Sequence, residues 1–309
     1  MAMRLLGSVA LTARSVGGLA LGGLSALAWD EDEARLYALS DRGALFHLRP
    51  HFEGEHLVSV EALAAFPLRD RDNRALHGPQ ADAEALVVQG ANNGVAGDSV
   101  LSVAFERQPR ILRFSPEGRF LDETRLPAQW RDSSRYADPN KALESLTWLH
   151  GAGFLSGPER PLRGAEDGIV ELFSLRGGHW RYPLAPTPQA SLVAMEALPD
   201  GGLLVLERGY GLMYLPIVIA LRRTEIGSEH AGALLAVTTL AVLDSSQGWS
   251  VDNFEGLTRH EGLKFFMVSD DNFNELQKTL LVYFSLVSTG APANSTNWPE
   301  HELRQETRD

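Results

Sequence analysis

The sequence predicts an all-β protein, a single β-propeller in which five blades are favoured over six. Three observations predict this fold. A short motif recurs along the chain, strand-like apolar runs follow each copy, and no window keeps a helical period. Turn signals such as PDGG at 199–202 separate the runs. With 309 residues, 44% of them hydrophobic, the chain is long enough to form one such domain around a buried core.

The recurring motif places a glutamate between apolar residues, as in DAEAL, ALESL, AMEAL and NFEGL, with GGLSAL as a variant. Its central residues are Ser25, Glu84, Glu144, Glu196 and Glu255. They are separated by 59, 60, 52 and 59 residues, somewhat more than the roughly 40 to 50 residues of common propeller blades. Each repeat therefore predicts one blade with generous loops.

A second apolar run in each repeat ends in an acidic residue. These acids are Asp41, Glu106, Glu159, Glu207 and Asp270, and arginine follows four of them, as Arg42, Arg107, Arg160 and Arg208. A third run, rich in β-branched and aromatic residues, follows in every repeat, as in IVELFSL and LLVYFSL. Four repeats contain a fourth run, so we expect four-stranded blades.

The fifth repeat lacks a fourth run, because after Val287 the chain becomes polar and contains proline. The N-terminal segment RLLGSVALTA can supply the missing strand. A first strand that completes the last blade ties the ring shut and removes unpaired sheet edges. We therefore predict one domain over residues 1–288, closed by the N-terminal strand, and a polar C-terminal tail over 289–309.

The repeated acids should converge at one mouth of the channel. The first strand of a propeller blade runs along the channel and the second returns beside it, so the start of the first and the end of the second share one rim. Carboxylates crowded there repel one another, and they need a cation, arginine partners or raised pKa values. The alternative is that each acid is structural, pairing with a neighbouring arginine or capping a turn.

Calcium is the cation that fits these residues best. It takes about six to eight hard oxygen ligands, and the chain has no cysteine and no tight histidine pair. The densest group of oxygen donors is SDDNFNE at 269–275. The candidate metal ligands are Asp41, Glu84, Glu144, Glu196, Glu255, Asp270, Asp271 and Asn272.

Charge and motifs exclude several other classes of function. Acidic residues exceed basic ones by 40 − 28 = 12, which disfavours binding to a nucleic-acid backbone. No apolar run reaches the roughly 20 residues of a membrane span, and no secretory signal pattern is visible. The sequence contains no phosphate-binding loop, no dinucleotide fingerprint and no GxSxG nucleophile elbow.

Several of these segments together resemble the phytase-like esterase domain family. They are GGLSALAWD with YALSDRG, MEALPDGGLLVLERG, and NFEGL with MVSDDNFNELQKTLLVYF, and the likeness extends over roughly residues 16–286. The resemblance implies a propeller, a site at the channel mouth, a calcium-dependent esterase activity related to phosphate-monoester hydrolysis, and a periplasmic or secreted location. Ser25 departs from the pattern, because the other repeats have glutamate there.

The predicted function is a calcium-dependent hydrolase acting on a phosphate ester or a similar small anionic ester. Glu106 or Glu207 would accept the proton of a water molecule, and Arg42, Arg107 and Arg208 would neutralise the charge that develops on the ester. Two alternatives remain open. One is a propeller lactonase, and the other is a propeller that binds or senses a metal without catalysis.

Overall fold

The computed structural model describes residues 1–138, 141–210, 216–227, 232–249, 251–274 and 277–288. These residues form five antiparallel sheets of four strands each, together with one short hairpin. The first strand of each sheet contacts the first strand of the next, and these contacts close from the fifth sheet back to the first. The sheets are therefore the five blades of a propeller around a central channel, which confirms the predicted fold.

The strands follow the repeats in chain order. The chain begins with β1 (Ala2–Ala10) and the hairpin of β2 (Ser15–Val16) and β3 (Leu19–Ala20). Blade one contains β4 (Leu24–Asp30), β5 (Arg35–Ser40), β6 (Ala44–Glu53) and β7 (His56–Pro67), and blade two contains β8 (Ala83–Gln89), β9 (Val100–Phe105), β10 (Arg110–Phe114) and β11 (Phe120–Thr124). Blade three contains β12 (Ser145–Leu149), β13 (Gly153–Gly157), β14 (Ile169–Ser174) and β15 (His179–Pro183).

Blades four and five complete the ring. Blade four contains β16 (Ser191–Ala197), β17 (Gly202–Tyr210), β18 (Ile217–Glu225) and β19 (Val237–Asp244), and blade five contains β20 (Asn253–Arg259), β21 (Lys264–Asp270), β22 (Leu280–Val287) and β1. The described helical segments are α1 (Ala128–Arg131) and 3₁₀ turns at Gly78–Gln80, Ser133–Arg135 and Ser245–Gln247. None of the helices in the described ranges is long and apolar enough to cross a membrane.

The core lies between the blades. Leu36, Tyr37, Ala38 and Leu39 in β5 are all buried, and such continuous apolar runs are typical of strands covered on both faces. Tyr37 belongs to the same apolar cluster as Phe105 of blade two. Because neighbouring blades cover each other in this way, the strand ends rather than the strand faces are left to form the channel mouths.

The first strands carry a β-bulge close to their start. The pairing with the second strand shifts by one residue at Ser25, Glu84, Val193 and Glu255. A bulge re-aims the side chain of the extra residue, and these four side chains, with Glu144 just before β12, line a waist in the channel of about 10 Å³. A space of that size holds roughly one water molecule, so the waist separates the two channel mouths.

The N-terminal strand closes the ring, as predicted. β1 pairs antiparallel with β22 along its whole length. Leu6 in its middle is 2% exposed, and Gly7 next to it has a φ of 145°, at a point where a side chain would collide with the carbonyl oxygen of Leu57. The predicted C-terminal tail, 289–309, lies outside the described residues.

Deleting residues 1–13 should strongly destabilise the fold or prevent it, because the edge of β22 and part of blade one would be exposed. Thermal melting followed by circular dichroism measures this. As a point test, Leu6→Ala should lower the free energy of unfolding by roughly 2–5 kcal/mol. Arg4→Ala, which removes an exposed ion pair with Glu55, should change the melting temperature little. A truncated chain that melts like the full chain would contradict closure by β1.

Candidate functional site

The mouth at which the first strands begin is lined mainly by acids. It encloses about 180 Å³. The lining residues, called the carboxylate mouth below, are Asp41, Glu84, Glu106, Lys141, Glu144, Glu159, Arg208, Glu255, Asp270 and Asn272. Seven of these side chains are carboxylic acids and two are cationic, so 7 − 2 = 5 carboxylates have no matching base within the lining.

Strand register arranges these residues in two rings. The inner ring is the waist position at the start of each first strand, and its members are Ser25, Glu84, Glu144, Val193 and Glu255. The outer ring is a position within two residues of the end of each second strand, on the mouth side of the waist, and its members are Asp41, Glu106, Glu159, Arg208 and Asp270. The fold therefore brings together most of the predicted acids, including Glu159, which was not among the predicted site residues.

Blade four departs from the predicted pattern in the outer ring, because Arg208 rather than Glu207 occupies the outer-ring position. Side chains alternate along a strand, so Glu207 faces the opposite way. Its carboxylate accepts hydrogen bonds from the Tyr182 hydroxyl at 2.5 Å, the Ala185 N–H at 2.7 Å and the Arg222 guanidinium at 2.7 Å. Glu207 is 1% exposed, and the structure places it between blades three and four, away from the mouth.

Glu196 also lies away from this mouth. The bulge of blade four is at Val193, so LVAM rather than AMEAL matches the motif of the other blades. Glu196 is three residues further along β16 and lines the opposite mouth of the channel. The expected carboxylate is therefore missing from the inner ring in blade four, where valine stands, and in blade one, where the Ser25 hydroxyl donates to the Ala83 carbonyl at 2.6 Å.

Two cationic side chains neutralise one side of the carboxylate mouth. Arg208 is 7% exposed and donates to Glu159 at 3.3 Å and to Asn253 at 2.5 Å, and it forms an ion pair with Glu255. Lys141 forms a second ion pair with Glu159. Burial alone would raise the pKa of Glu159, but Arg208 and Lys141 outweigh it and hold that pKa below its ordinary value. Lys141 precedes blade three and belongs to no repeated motif, so the repeat pattern gave no signal for it.

On the other side of the mouth, the carboxylates of Glu84 and Glu106 have no ion pair with a cationic side chain among the described residues. One oxygen each from Asp82, Glu84 and Glu106 lie within 4.8 Å of one another. Burial, and then the charge of Asp82, raises the pKa of Glu106 to about 9. Burial, and then Glu144, raises the pKa of Glu84 well above its ordinary value. Asp82 was not predicted, and Arg107 donates to it at 2.5 Å from the rim.

Glu144 lies between the two sides. It is 7% exposed, and within the described part of the chain its carboxylate has no hydrogen bond or ion pair. Burial, followed by the charges of Glu159 and Glu106, raises its pKa well above the ordinary value. A buried carboxylate in this state holds a proton or needs a cation.

The donor-rich segment of repeat five is divided between two roles. Asp270 is at the mouth, where burial and then Glu255 raise its pKa to about 8, and it accepts the N–H of Asn272 at 2.7 Å. Asn272 also lines the mouth. Asp271 instead accepts hydrogen bonds from the N–H of Gly23 at 2.9 Å and the hydroxyl of Thr279 at 2.8 Å, which fastens blade five to the segment before blade one.

The predicted arginines outside the ring lie at its rim. The guanidinium of Arg42 stacks over the ring of Phe273, 3.4 Å from its centroid. Arg107 is paired with Asp82, and its side chain is 47% exposed. Asp41, next to Arg42, is half-buried, and its carboxylate accepts one hydrogen bond from the Ser40 hydroxyl at 3.3 Å. Burial raises the pKa of Asp41 to about 6, although Arg42 opposes the shift.

Comparison with known proteins identifies the family. Residues 19–273 match the phytase-like family described as "Esterase-like activity of phytase". The chain belongs to the phytase-like esterase family. It is thus a propeller of a hydrolase family, as the sequence motifs suggested. No curated protein matches it.

One solved structure, an endo-arabinase, agrees with the propeller fold of this family member. The endo-arabinase from Bacteroides thetaiotaomicron VPI-5482 is 14% identical, with a TM-score of 0.51, and the match covers 89% of this chain and 97% of the enzyme. The WD40 domain of Neurospora crassa Pan2 is 13% identical, with a TM-score of 0.43, covering 93% and 96% of the two chains. At these identities the likeness to the endo-arabinase concerns the fold alone.

Proposed function

We propose that this protein is a calcium-dependent hydrolase of phosphate esters or similar anionic esters, acting at the carboxylate mouth. The observation that carries the proposal is the unbalanced charge of that mouth, seven carboxylic acids against two cationic side chains in about 180 Å³. Membership of the phytase-like esterase family supports ester hydrolysis as the reaction.

The donor set fits calcium. Asp82, Glu84 and Glu106 offer one oxygen each within 4.8 Å of one another, and Glu144 is a buried carboxylate without a partner among the described residues. All of these donors are hard oxygens, which are the ligands that calcium prefers. Softer metals prefer nitrogen or sulfur ligands. We assign Asp82, Glu84 and Glu106 as the residues that hold the ion. When bound, calcium supplies charge that neutralises these carboxylates, polarises an ester oxygen and acidifies water.

Asp41 is the outer-ring carboxylate left free to move a proton. Glu159 is paired with Lys141 and Arg208, and Asp270 accepts from Asn272. Asp41 accepts a single weak hydrogen bond at 3.3 Å and is half-buried. Its pKa of about 6 is close to that of an efficient general base near neutral pH. Glu106 and Glu207, the bases expected from the sequence, are engaged as a ligand and as an internal hydrogen-bond acceptor.

Cations around the rim would hold the anionic group of the substrate. Lys141 lines the mouth with 31% of its side chain exposed, and Arg107 is exposed beside Asp82. Arg208 is almost fully buried, and its guanidinium already contacts Glu159, Glu255 and Asn253. Its charge would therefore act on the substrate at a distance and not by direct contact. Arginine and lysine at such positions bind phosphate or carboxylate oxygens directly.

The experiment compares the hydrolysis of a phosphomonoester, a carboxylic ester and a lactone with calcium and with EDTA. We expect hydrolysis of an anionic ester that requires calcium. Asp41→Asn should lower kcat by at least about 100-fold, because general-base catalysis contributes that much, without lowering the melting temperature. Asp122→Asn is the matched control, since Asp122 is exposed on blade two and, among the described residues, pairs with Arg113 alone, and it should keep the parent rate.

The outcomes separate the candidate functions. Hydrolysis of the lactone alone would replace the proposal by a lactonase. Stabilisation by calcium without turnover of any ester would leave a metal-binding propeller. Equal rates in calcium and in EDTA would remove the metal from the mechanism.

A further inference from the structure

The channel has a second mouth, where the first strands end. It encloses about 530 Å³, nearly three times the volume of the carboxylate mouth. The waist between them has room for roughly one water molecule, so the two mouths are separate cavities. The second mouth, called the aromatic mouth below, is lined among others by Trp29, Gln89, Trp148, Glu196, Arg259 and His260.

One wall of the aromatic mouth is a fixed group of rings. Trp29 meets the ring of His260 edge-on, with centroids 4.5 Å apart and planes at 89°. Behind it, His260 stacks on Phe52 at 5.5 Å and shares a hydrogen bond of 2.7 Å with the Tyr283 hydroxyl. Burial lowers the pKa of His260 to about 4, so the ring is neutral at physiological pH. The indole of Trp29 is therefore held in place before any ligand arrives.

A second indole lies at the same mouth and is open to solvent. Trp148 is 41% exposed, and its ring is held edge-on against Phe154 with centroids 4.8 Å apart. In the described part of the chain neither Trp148 nor Trp29 uses its indole N–H in a hydrogen bond. An exposed tryptophan inside a concave cavity is typical of a binding surface rather than of a core.

Two buried hydroxyls at this mouth retain a free donor. Thr147 accepts the N–H of Ala197 at 3.1 Å, and Thr258 accepts the N–H of Trp29 at 3.2 Å, and each contact ties one blade to the next. Both threonines are at most 5% exposed. Neither donates its hydroxyl hydrogen to another described residue. Buried donors without partners are costly, so they indicate a site completed by water or by a ligand.

Glu196 occupies the position in blade four that Thr147 occupies in blade three and Thr258 in blade five, and it adds a carboxyl group to the lining. It accepts the backbone N–H of Arg259, as the threonines accept their neighbours, which leaves a second oxygen for the cavity. Burial raises the pKa of Glu196 to about 8, although Arg259 opposes the shift. The side chains of Gln89 and Arg259 have no hydrogen bond or ion pair within the described ranges. Glu31 also lines this mouth, and its charge is opposite to that of Arg259, so the lining is neutral overall when Glu196 is protonated.

We propose that the aromatic mouth is a second binding site, for a neutral, hydroxyl-rich molecule such as a sugar or a polyol. The indoles of Trp29 and Trp148 offer flat apolar faces for the C–H side of a sugar ring. Gln89, Thr147 and Thr258 provide donors and acceptors for its hydroxyl groups, in the mixture that such groups need. A single arginine is too little cationic charge to select a phosphorylated ligand, and the many polar groups disfavour a purely apolar one.

This site is independent of the calcium-dependent reaction. No residue is shared between the linings of the two mouths, and the waist blocks passage of anything larger than about one water molecule. Binding at the aromatic mouth should therefore persist when calcium is removed and when Asp41 is replaced.

The test uses a panel of neutral pentoses, hexoses, β-linked disaccharides and inositol, in EDTA. Saturation-transfer NMR and tryptophan fluorescence report binding at concentrations up to about 20 mM, a range that includes weak sugar sites. We expect at least one member to saturate a single site. Trp148→Ala should weaken it about tenfold and Trp148→Phe less, while Glu196→Gln should weaken it several-fold. Asp41→Asn serves as the control at the other mouth and should leave the affinity unchanged.

Three results would overturn the proposal. In the first, no member of the panel binds to the folded parent protein. In the second, a sugar binds equally well to the parent and to Trp148→Ala, which would place it elsewhere on the surface. In the third, a sugar phosphate or an unrelated peptide binds more tightly than every neutral sugar, and the ligand class would then be wrong.

Discussion

Replacing Arg208 with leucine should lower the free energy of unfolding by roughly 3–5 kcal/mol at pH 8 without calcium, because buried carboxylates lose their cation. Arg208 contacts Glu159 and Glu255, and all three side chains are at most 13% exposed. The loss should be smaller at pH 5, because without Arg208 the burial of Glu159 raises the pKa of that carboxyl group and a proton can replace the lost cation. Urea denaturation of parent and variant at both pH values measures the two differences.

Arg223→Leu is the matched control on the neighbouring strand of the same blade. Arg223 pairs with Asp200 at 2.9 Å and with Glu225 at 3.2 Å, but these partners are largely exposed and screened by water. Its replacement should cost less than about 1 kcal/mol. Calcium should reduce the difference in stability between the parent and Arg208→Leu, and it should leave the difference between the parent and Arg223→Leu unchanged. Equal losses in the two variants would mean that Arg208 is no more important than a surface arginine.

The propeller and its closure could be predicted from the sequence because both depend on patterns that repeat. Four motifs, at Ser25, Glu84, Glu144 and Glu255, mark the start of a first strand as expected. The polar sequence after β22 and the apolar sequence at the N-terminus predicted that β1 would complete blade five. Hydrophobic pattern and the avoidance of open sheet edges were sufficient for these conclusions.

Blade four shows why the site was harder to predict than the fold. AMEAL gave the more regular spacing, 52 and 59 residues, whereas the true equivalent at Val193 is 49 residues after Glu144 and 62 before Glu255. Loop lengths vary freely, so regular spacing was a poor guide to register. A shift of one residue turns a side chain to the other face of a strand, which is why Glu207 is internal and Arg208 faces the mouth.

Residues outside the repeats were not predictable by comparing the repeats. Lys141 reaches Glu159 from the loop before blade three, and Asp82 precedes β8 by one residue. Asp271 was expected at the mouth with Asp270. Because successive side chains point in opposite directions, Asp271 instead accepts the N–H of Gly23 and connects blade five to the segment before blade one. Such contacts depend on how loops from different blades meet, which no single-sequence pattern encodes.

Without calcium, the protein should lose stability as the pH rises from about 5 to 9. The pKa values of Asp41, Asp270 and Glu106 in the folded state are about 6, 8 and 9, all above the ordinary values of 3.8 to 4.5. Between the unfolded and folded pKa values the native state binds more protons than the unfolded state, so the free energy of unfolding falls with pH. This stability is fully present below the ordinary pKa values and is lost as the pH passes the folded ones.

Calcium should reverse this trend, because it replaces the protons that keep the carboxylate mouth neutral. The increase in melting temperature on adding calcium should therefore be larger at pH 8.5 than at pH 5.5, and binding should release protons, which calorimetry in buffers of different ionisation enthalpy detects. A metal-free melting temperature that is flat or rises over this range would contradict the raised pKa values.

Glu106→Gln separates the electrostatic effect from a structural one, because the amide keeps the shape of the side chain and removes its charge. In EDTA at pH 9 the variant should be more stable than the parent by at least about 1 kcal/mol, since one unit of pKa shift corresponds to about 1.4 kcal/mol. In calcium it should be less stable than the parent, because a ligand is lost. Glu117→Gln, at an exposed turn where Glu117 contacts Ser115, should change neither value. A change of the same sign with and without calcium would show that Glu106 contributes to packing and does not hold a cation.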